Sequence, residues 1–183
     1  MANSKKLDCV ILGLLSHADL TGYEIKKRID TTIKFFWGAS YGSIYPTLKE
    51  LVENGLAIKL STEESSRNKI RYTITEQGRQ YLSAWLKIPA EKDELRYETL
   101  LKLFFADNVD VKTAIRHIEA FKAKAHAELP YLETSIAALE RKCGEDRTYL
   151  YYLLTAKLGV KSYEAYLEWC DEAIDVLMNG LNN

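Results

Sequence analysis

At Gly55 the spacing of apolar residues changes from the three-or-four step of a helix to the two-step of a strand, and at Thr75 it changes back. Before Gly55, residues Ile44, Leu48, Leu51 and Val52 recur at helical spacing. After it, Leu56-Ala57-Ile58-Lys59-Leu60 and Ile70-Arg71-Tyr72-Thr73-Ile74 are β-rich alternating segments, joined by the polar run from Ser61 to Lys69. That pattern predicts a hairpin with a long tip. Thr75 is placed to cap another helix, with Tyr81, Leu82, Trp85 and Leu86 apolar and Pro89 as its stop. Any fold for this chain must therefore seat a small hairpin among helices.

Three helices are expected ahead of the hairpin. Ser4 can cap the first, whose stripe is Leu7, Val10, Ile11, Leu14 and Leu15, and a loop from Ser16 to Leu20 follows. Thr21 opens the second, with Glu24 completing a capping box. Ile25, Ile29, Ile33 and Phe36 give it a buried side, and Lys26, Lys27, Arg28 and Lys34 lie away from that side, as either a solvated or a phosphate-facing surface. The third runs from Ser40 to Gly55, capped by Ser40 or Ser43. Pro46 conflicts with it, because proline has no N–H to donate and crowds the preceding turn. Either the helix starts near Ser43, or Gly42 relieves the clash by having no side chain. Both resolutions leave Gly42 and Pro46 outward, with Ser43, Lys49, Glu50 and Glu53, and with Tyr41 and Tyr45 on the flanks. Glu50 and Glu53 would repel a phosphate backbone, whereas the first turn offers N–H groups, hydroxyls and the positive end of the helix dipole. Contact with nucleic acid would fall to the N-terminal half of this helix, where a proline ring can pack on a thymine methyl.

Two helices, a turn and a third short helix make a helix-turn-helix candidate. In the hairpin, alternation puts Ile70, Tyr72 and Ile74 on one side and Lys69, Arg71 and Thr73 on the other, with Arg67 at the tip. A basic hairpin directly behind such a unit reads as the wing of a winged helix, with cations for phosphates or the minor groove. The charge distribution agrees: up to Lys87 there are 13 Lys and Arg against 9 Asp and Glu, an excess of four, while the remainder holds 12 against 17. A nucleic-acid partner belongs to the first half, on a modest electrostatic footprint.

The remaining classes are excluded or left without support. No apolar run approaches the roughly 20 residues of a membrane span, and the N-terminus lacks a signal-peptide pattern, so a cytoplasmic protein is expected. Cys9, Cys143 and Cys170 are odd in number and far apart, which suggests neither a disulfide framework nor a zinc site. His17, His117 and His126 are scattered, and the chain has no glycine-rich phosphate loop, metal-ligand spacing or nucleophile elbow. The expectation is a protein without catalytic residues, metal or cofactor.

A short linker from Pro89 to Asp93 separates the halves, giving expected domains at 1–88 and 89–183. Glu94 to Ala106 predicts one helix. From Asp110, a candidate cap, Val111, Ile115, Ile118, Phe121, Ala125, Leu129, Leu132, Ile136 and Leu139 step by three or four, predicting a long helix bent at Pro130. Its stripe suits a coiled-coil-like contact with another subunit or an intrachain bundle. Arg147 to Leu158 and Ser162 to Met178 predict two more helices joined at Gly159.

Four segments in order carry a family resemblance: Leu20-Thr21-Gly22-Tyr23-Glu24-Ile25, Tyr41-Gly42-Ser43-Ile44-Tyr45-Pro46-Thr47-Leu48, Asn54-Gly55-Leu56, and Arg71-Tyr72-Thr73-Ile74-Thr75-Glu76-Gln77-Gly78. They resemble the PadR family of transcriptional regulators across nearly all of residues 7 to 88. Leu100 to Asp107 and Trp169 to Ile174 resemble its longer subgroup, which has a helical C-terminal domain. The resemblance implies a mainly α protein: an N-terminal winged helix-turn-helix with a small β-hairpin wing, plus an all-α C-terminal dimerisation domain. It implies a homodimeric repressor on a palindromic operator in double-stranded DNA. On that reading Ser43, Tyr45 and Lys49, with Ser40, Tyr41, Gly42 and Pro46 beside them, present to the major groove, and Tyr23, Arg67, Lys69 and Arg71 hold phosphates. Several members of the family respond to phenolic or planar compounds, so Tyr149, Tyr151, Tyr152 and Trp169 could line a pocket for a small aromatic effector; aromatics at helical spacing equally suit a core. The rival reading is a winged-helix and coiled-coil module that assembles with other proteins without specific DNA binding.

Overall fold

The computed structural model describes residues 2–37, 41–60, 70–90 and 97–180. The chain divides into two compact units, Met1–Asp93 and Glu94–Asn183. The first contains α1 (Ala2–Leu15), β1 (Leu20–Thr21), α2 (Gly22–Arg28), α3 (Tyr41–Glu53), β2 (Ala57–Leu60), β3 (Arg71–Ile74) and α4 (Glu76–Leu86). Its core is built from the stripes read in the sequence, except that in α1 Leu12, outside the expected stripe, is buried where Val10 and Leu14 are half-buried: Ile11, Leu12 and Leu15 of α1, Ile25 and Ile29, and Ile44, Leu48 and Leu51 of α3 are fully buried. Each such side chain contributes about 1.5–3 kcal/mol relative to exposure.

Several local expectations change. α1 begins at Ala2, so Ser4 lies inside it rather than at its cap. Where a plain loop was expected, Leu20 and Thr21 form a strand that pairs Leu20 with Tyr72 and Thr21 with Arg71, completing an antiparallel sheet of order β1-β3-β2. Two residues are too short for an alternation to register. The Thr21 capping box is present: the hydroxyl accepts from Glu24 N at 3.1 Å, and the Glu24 carboxylate accepts from Thr21 N at 2.7 Å. α2 then loosens into one π-helical stretch, Ile29–Ile33, where the Thr31 and Thr32 hydroxyls donate back to the carbonyls of Lys27 and Arg28, the local competition that disfavours these residues inside helices.

α3 starts at Tyr41 with Pro46 inside it, so the second resolution holds. The residue four before the proline, where its ring crowds the helix, is the glycine Gly42. Thr47, outside the expected stripe, is buried with its hydroxyl donated to Ser43 O at 2.8 Å. After α3 the chain turns at Gly55, whose φ of 69° is left-handed and suits glycine. Thr75 caps α4, accepting from Gly78 N at 3.0 Å and donating to Gly55 O at 2.7 Å.

The second unit contains α5 (Glu98–Phe104), a 3₁₀ turn (Ala106–Asn108), α6 (Val111–Lys142) and α7 (Arg147–Gly180). α5 is shorter than the expected 94–106 helix. Asp110 caps α6 as expected, accepting from Thr113 N at 2.8 Å. α6 and α7 run antiparallel, tied by Lys157–Glu140 at 2.9 Å and by Lys122–Asp171. α7 is a single helix, not two joined at Gly159, which is buried within it. A helical glycine costs about 1 kcal/mol against alanine, and packing along α6 outweighs that. The α6 stripe at Ile115, Ile118, Ala125 and Leu132 is buried within the chain, so the intrachain alternative describes it. α7 leaves Leu150, Leu154 and Leu158, at four-residue steps, exposed. Among the described residues no helix is long and apolar enough to cross a membrane.

Candidate nucleic-acid interface

The outward side of α3 is the one the sequence predicted. Gly42, Pro46, Lys49, Glu50 and Glu53 are exposed, and Ser43 is half-buried. The first turns therefore offer a small surface that admits close approach, and the last turn is acidic. Lys49 lies 3.6 Å from Glu53, both side chains well exposed. A pair this solvated contributes about 0–1 kcal/mol, leaving Lys49 able to turn toward another anion. Tyr45 is 41% exposed, but its ring lies against Gly22 at the start of α2.

The start of α2 is tied to β3. The Arg71 guanidinium donates to Asp19 O and lies 3.7 Å from the Glu24 carboxylate. The Thr21 backbone N–H, foremost, and the Arg71 charge hold Glu24 below the usual carboxylate range. Arg71 is thus a brace between strand and helix as well as an exposed cation. A contact between residues 52 apart in sequence carries no local signal. Tyr23, 57% exposed in the first turn of α2, presents its side chain beside this brace. On β2, Lys59 is also exposed; the strand's exposed Ile58 and Leu60 hid it from an alternation reading. Ser40, Arg67 and Lys69 lie outside the described residues.

Behind α3, on α1, the Oδ1 of Asp8 is buried without a hydrogen-bond partner among the described residues. Burial, with the nearby Glu50 charge adding to it, raises the Asp8 pKa. Burial pushes the neighbouring Cys9 thiol up to about 11, with Asp8 contributing, which marks an inert core thiol. Among the described residues no group of three or more His, Cys, Asp or Glu could hold a metal ion.

The aromatic residues singled out in the second unit are not brought together. Tyr149 and Tyr152 pair edge-on at 6.4 Å near the start of α7, with Lys142 over the Tyr149 ring. Trp169 packs on Phe121 at 6.2 Å, beside Tyr166 and Tyr97, whose hydroxyls hydrogen-bond. Because α7 is continuous, the 17 residues from Tyr152 to Trp169 span about 25 Å. Within one protomer, Tyr149 and Tyr152 therefore lie at one place along α7 and Trp169 at another.

Residues 11–84 match the model of the transcriptional regulator PadR-like family, and residues 95–178 match the virulence activator alpha C-terminal model. The chain belongs to the PadR-like family of transcriptional regulators. The negative transcriptional regulator PadR of Bacillus subtilis is 27% identical over 180 residues, covering 93% of this chain and 97% of that protein. The crystal structure of Bacillus subtilis PadR in complex with operator DNA superimposes with a TM-score of 0.75 at 26% identity, covering 93% of this chain and 98% of that one. Its complex with p-coumaric acid gives a TM-score of 0.70 at 25% identity, covering 95% and 96%. The PadR-like fold is thus a winged helix followed by the α5–α7 unit, and the mainly α expectation holds with the sheet enlarged by β1.

Proposed function

We propose that this PadR-like protein is a cytoplasmic homodimeric repressor that acts by binding rather than catalysis. Residues 1–88 bind a palindromic operator, and residues 89–183 dimerise. The first two turns of α3 enter the major groove, where Gly42 and Pro46 let the backbone approach and Ser43 reaches base edges, as does Lys49 from the next turn, with Ser40, Tyr41 and Tyr45 beside them. Tyr23, Arg71 and the wing cations Arg67 and Lys69 sit on phosphates, which set register and affinity without reading sequence. Lys59 is a further candidate for the phosphate set. A two-fold dimer places its half-sites about one helical turn, roughly 10 base pairs, or a multiple of it apart. A small aromatic effector, of the kind with which Bacillus subtilis PadR has been crystallised, lowers operator affinity.

The observation that carries this reading is the small, uncharged first half of the α3 surface on a winged-helix core, in a chain similar over 93% of its length to one crystallised on operator DNA. The test is binding to the protein's own upstream region against random DNA of equal length at two salt concentrations, with random-library selection if that fragment is not preferred. A preference of about 10³-fold or more, at two protomers per site, is expected. Equal weak binding to every sequence would transfer α3 to a protein-docking role.

A further inference from the structure

α2 and α3 meet at a point with no room for a side chain. A Cβ built on Gly22 would stand 2.7 Å from Cε1 and 2.9 Å from Cζ of Tyr45, and 3.2 Å from its hydroxyl. Real Cβ atoms essentially never approach so closely. Gly22 does not serve an unusual backbone conformation, because Gly55 is the only described residue of positive φ. What it supplies is space, and what occupies that space is the ring of a residue on the DNA-facing helix. Gly22 is itself buried at the first position of α2.

Both sides of the contact are anchored. The first turn of α2 is held by the Thr21–Glu24 capping box and by Arg71 reaching from β3. Tyr72, the next residue of β3, is 7% exposed and pairs with Leu20 and Lys59. It lies close enough to Tyr45 for the two phenols to interact, which adds to burial in raising the Tyr72 pKa. Tyr45 is therefore the side chain through which the exposed end of α3 meets a rigid corner made by α2 and the sheet. A clash at a side chain on one helix, in a packed interior, is relieved by shifting the helix or swinging the ring into solvent. The first response moves the neighbouring Gly42, Ser43 and Pro46 with the helix; the second takes away the ring that spaces α3 from the first turn of α2.

We propose that Gly22 is a positioning residue for sequence reading: by admitting the Tyr45 ring against the first turn of α2, it sets the orientation in which α3 presents its first two turns to the groove. This rests on the operator-binding function proposed above, and it takes Tyr45 as a spacer between helices as well as a flank of the groove surface.

The test uses full-length wild type, Gly22→Ala, Tyr45→Ala and the double variant, each measured on selected operator and on random DNA across a salt series. Gly22→Ala is expected to lose about tenfold or more of operator affinity, the scale of one misplaced base contact. Its affinity for random DNA and its salt slope should stay at wild-type values, since phosphate contacts set both. In the Tyr45→Ala background, adding Gly22→Ala should cost nothing further, the non-additivity expected of residues in contact. A Gly22→Ala protein that reads the operator as wild type does would overturn the proposal, as would an equal loss with and without the ring. Should Gly22→Ala alone not fold, the double variant decides: folding with the operator preference of Tyr45→Ala supports the pairing, and failure to fold shows that Gly22 serves something else. A wild-type protein with no preferred sequence is a different result, which removes the operator function and this role with it.

Discussion

Gly78 is the position where a single methyl group should do most damage to the winged unit. A Cβ there would stand 2.1 Å from Leu56 O, 2.8 Å from Ile74 Cγ1 and 3.1 Å from Leu56 C. Unlike a clash with a side chain, a backbone oxygen can move only with its peptide. Leu56 O also accepts from Thr75 N at 3.1 Å, and Thr75 in turn accepts from Gly78 N at 3.0 Å. Parting Gly78 from Leu56 strains both bonds, at about 1 kcal/mol each. Overpacking adds about 1–3 kcal/mol. The total for Gly78→Ala is about 3–5 kcal/mol, a large share of the roughly 5–15 kcal/mol that a domain has. At about 4–8 °C per kcal/mol for a unit of this size, the thermal midpoint should fall by at least about 12 °C. Thr75→Ala, which removes only the cap, should cost about 1 kcal/mol. Thermal unfolding followed by circular dichroism measures both. A Gly78→Ala midpoint within about 4 °C of wild type would mean that the junction of wing and α4 yields, and that the close approach is not a constraint.

Arg71→Ala should weaken binding to operator and random DNA alike and reduce the salt slope by about 0.9 if the guanidinium holds one phosphate; a wild-type slope in this variant would leave Arg71 only its brace to Asp19 and Glu24. Asp8→Asn should raise the thermal midpoint at pH 7. The folded pKa of Asp8 lies above the unfolded one, so its penalty is fully present above the folded pKa and is lost as pH falls below the unfolded value, about 3.9. The variant's advantage should therefore shrink toward pH 4, and a lower midpoint than wild type at pH 7 would refute the account. Leu154→Glu, on the exposed α7 row with Leu150 and Leu158, should yield monomers at micromolar concentration by light scattering; an unchanged dimer would place the subunit contact elsewhere.

What could be read from the sequence followed the range of the interactions involved. The α3 stripe, the Thr21 and Thr75 caps, the Asp110 cap and the alternation within each wing strand all depend on residues within a few positions of one another, so periodicity and capping chemistry expose them. The elements misread depend on distant partners. β1 exists because Tyr72 and Arg71 lie beside Leu20 and Thr21. α7 stays whole through Gly159 because α6 runs along it, and the same packing absorbed the α6 stripe that suggested another subunit. The effector residues are spread for the same reason: along an unbroken 34-residue helix, Tyr149 and Tyr152 lie far from Trp169 within one protomer.

The glycines of the winged unit show where a reading from residue types stops. Gly42 and Gly55 were legible because their reasons are local: one precedes Pro46 by four residues, and the other ends a helix. Gly22 and Gly78 follow helix caps and look alike in sequence, the first one residue after Thr21 and the second three residues after Thr75. Their neighbours differ in kind. Gly78 faces a peptide oxygen that cannot yield without loosening the sheet, so its replacement should appear as lost stability whether or not DNA is present. Gly22 faces the end of a partly exposed ring, which can yield, so its replacement should leave a folded protein that reads its operator poorly. Two glycines in the first turns of two helices of one small unit thus separate the requirement of folding from the requirement of recognition, and the separation is measurable: Gly78→Ala should move the melting curve most, and Gly22→Ala the ratio of specific to random binding.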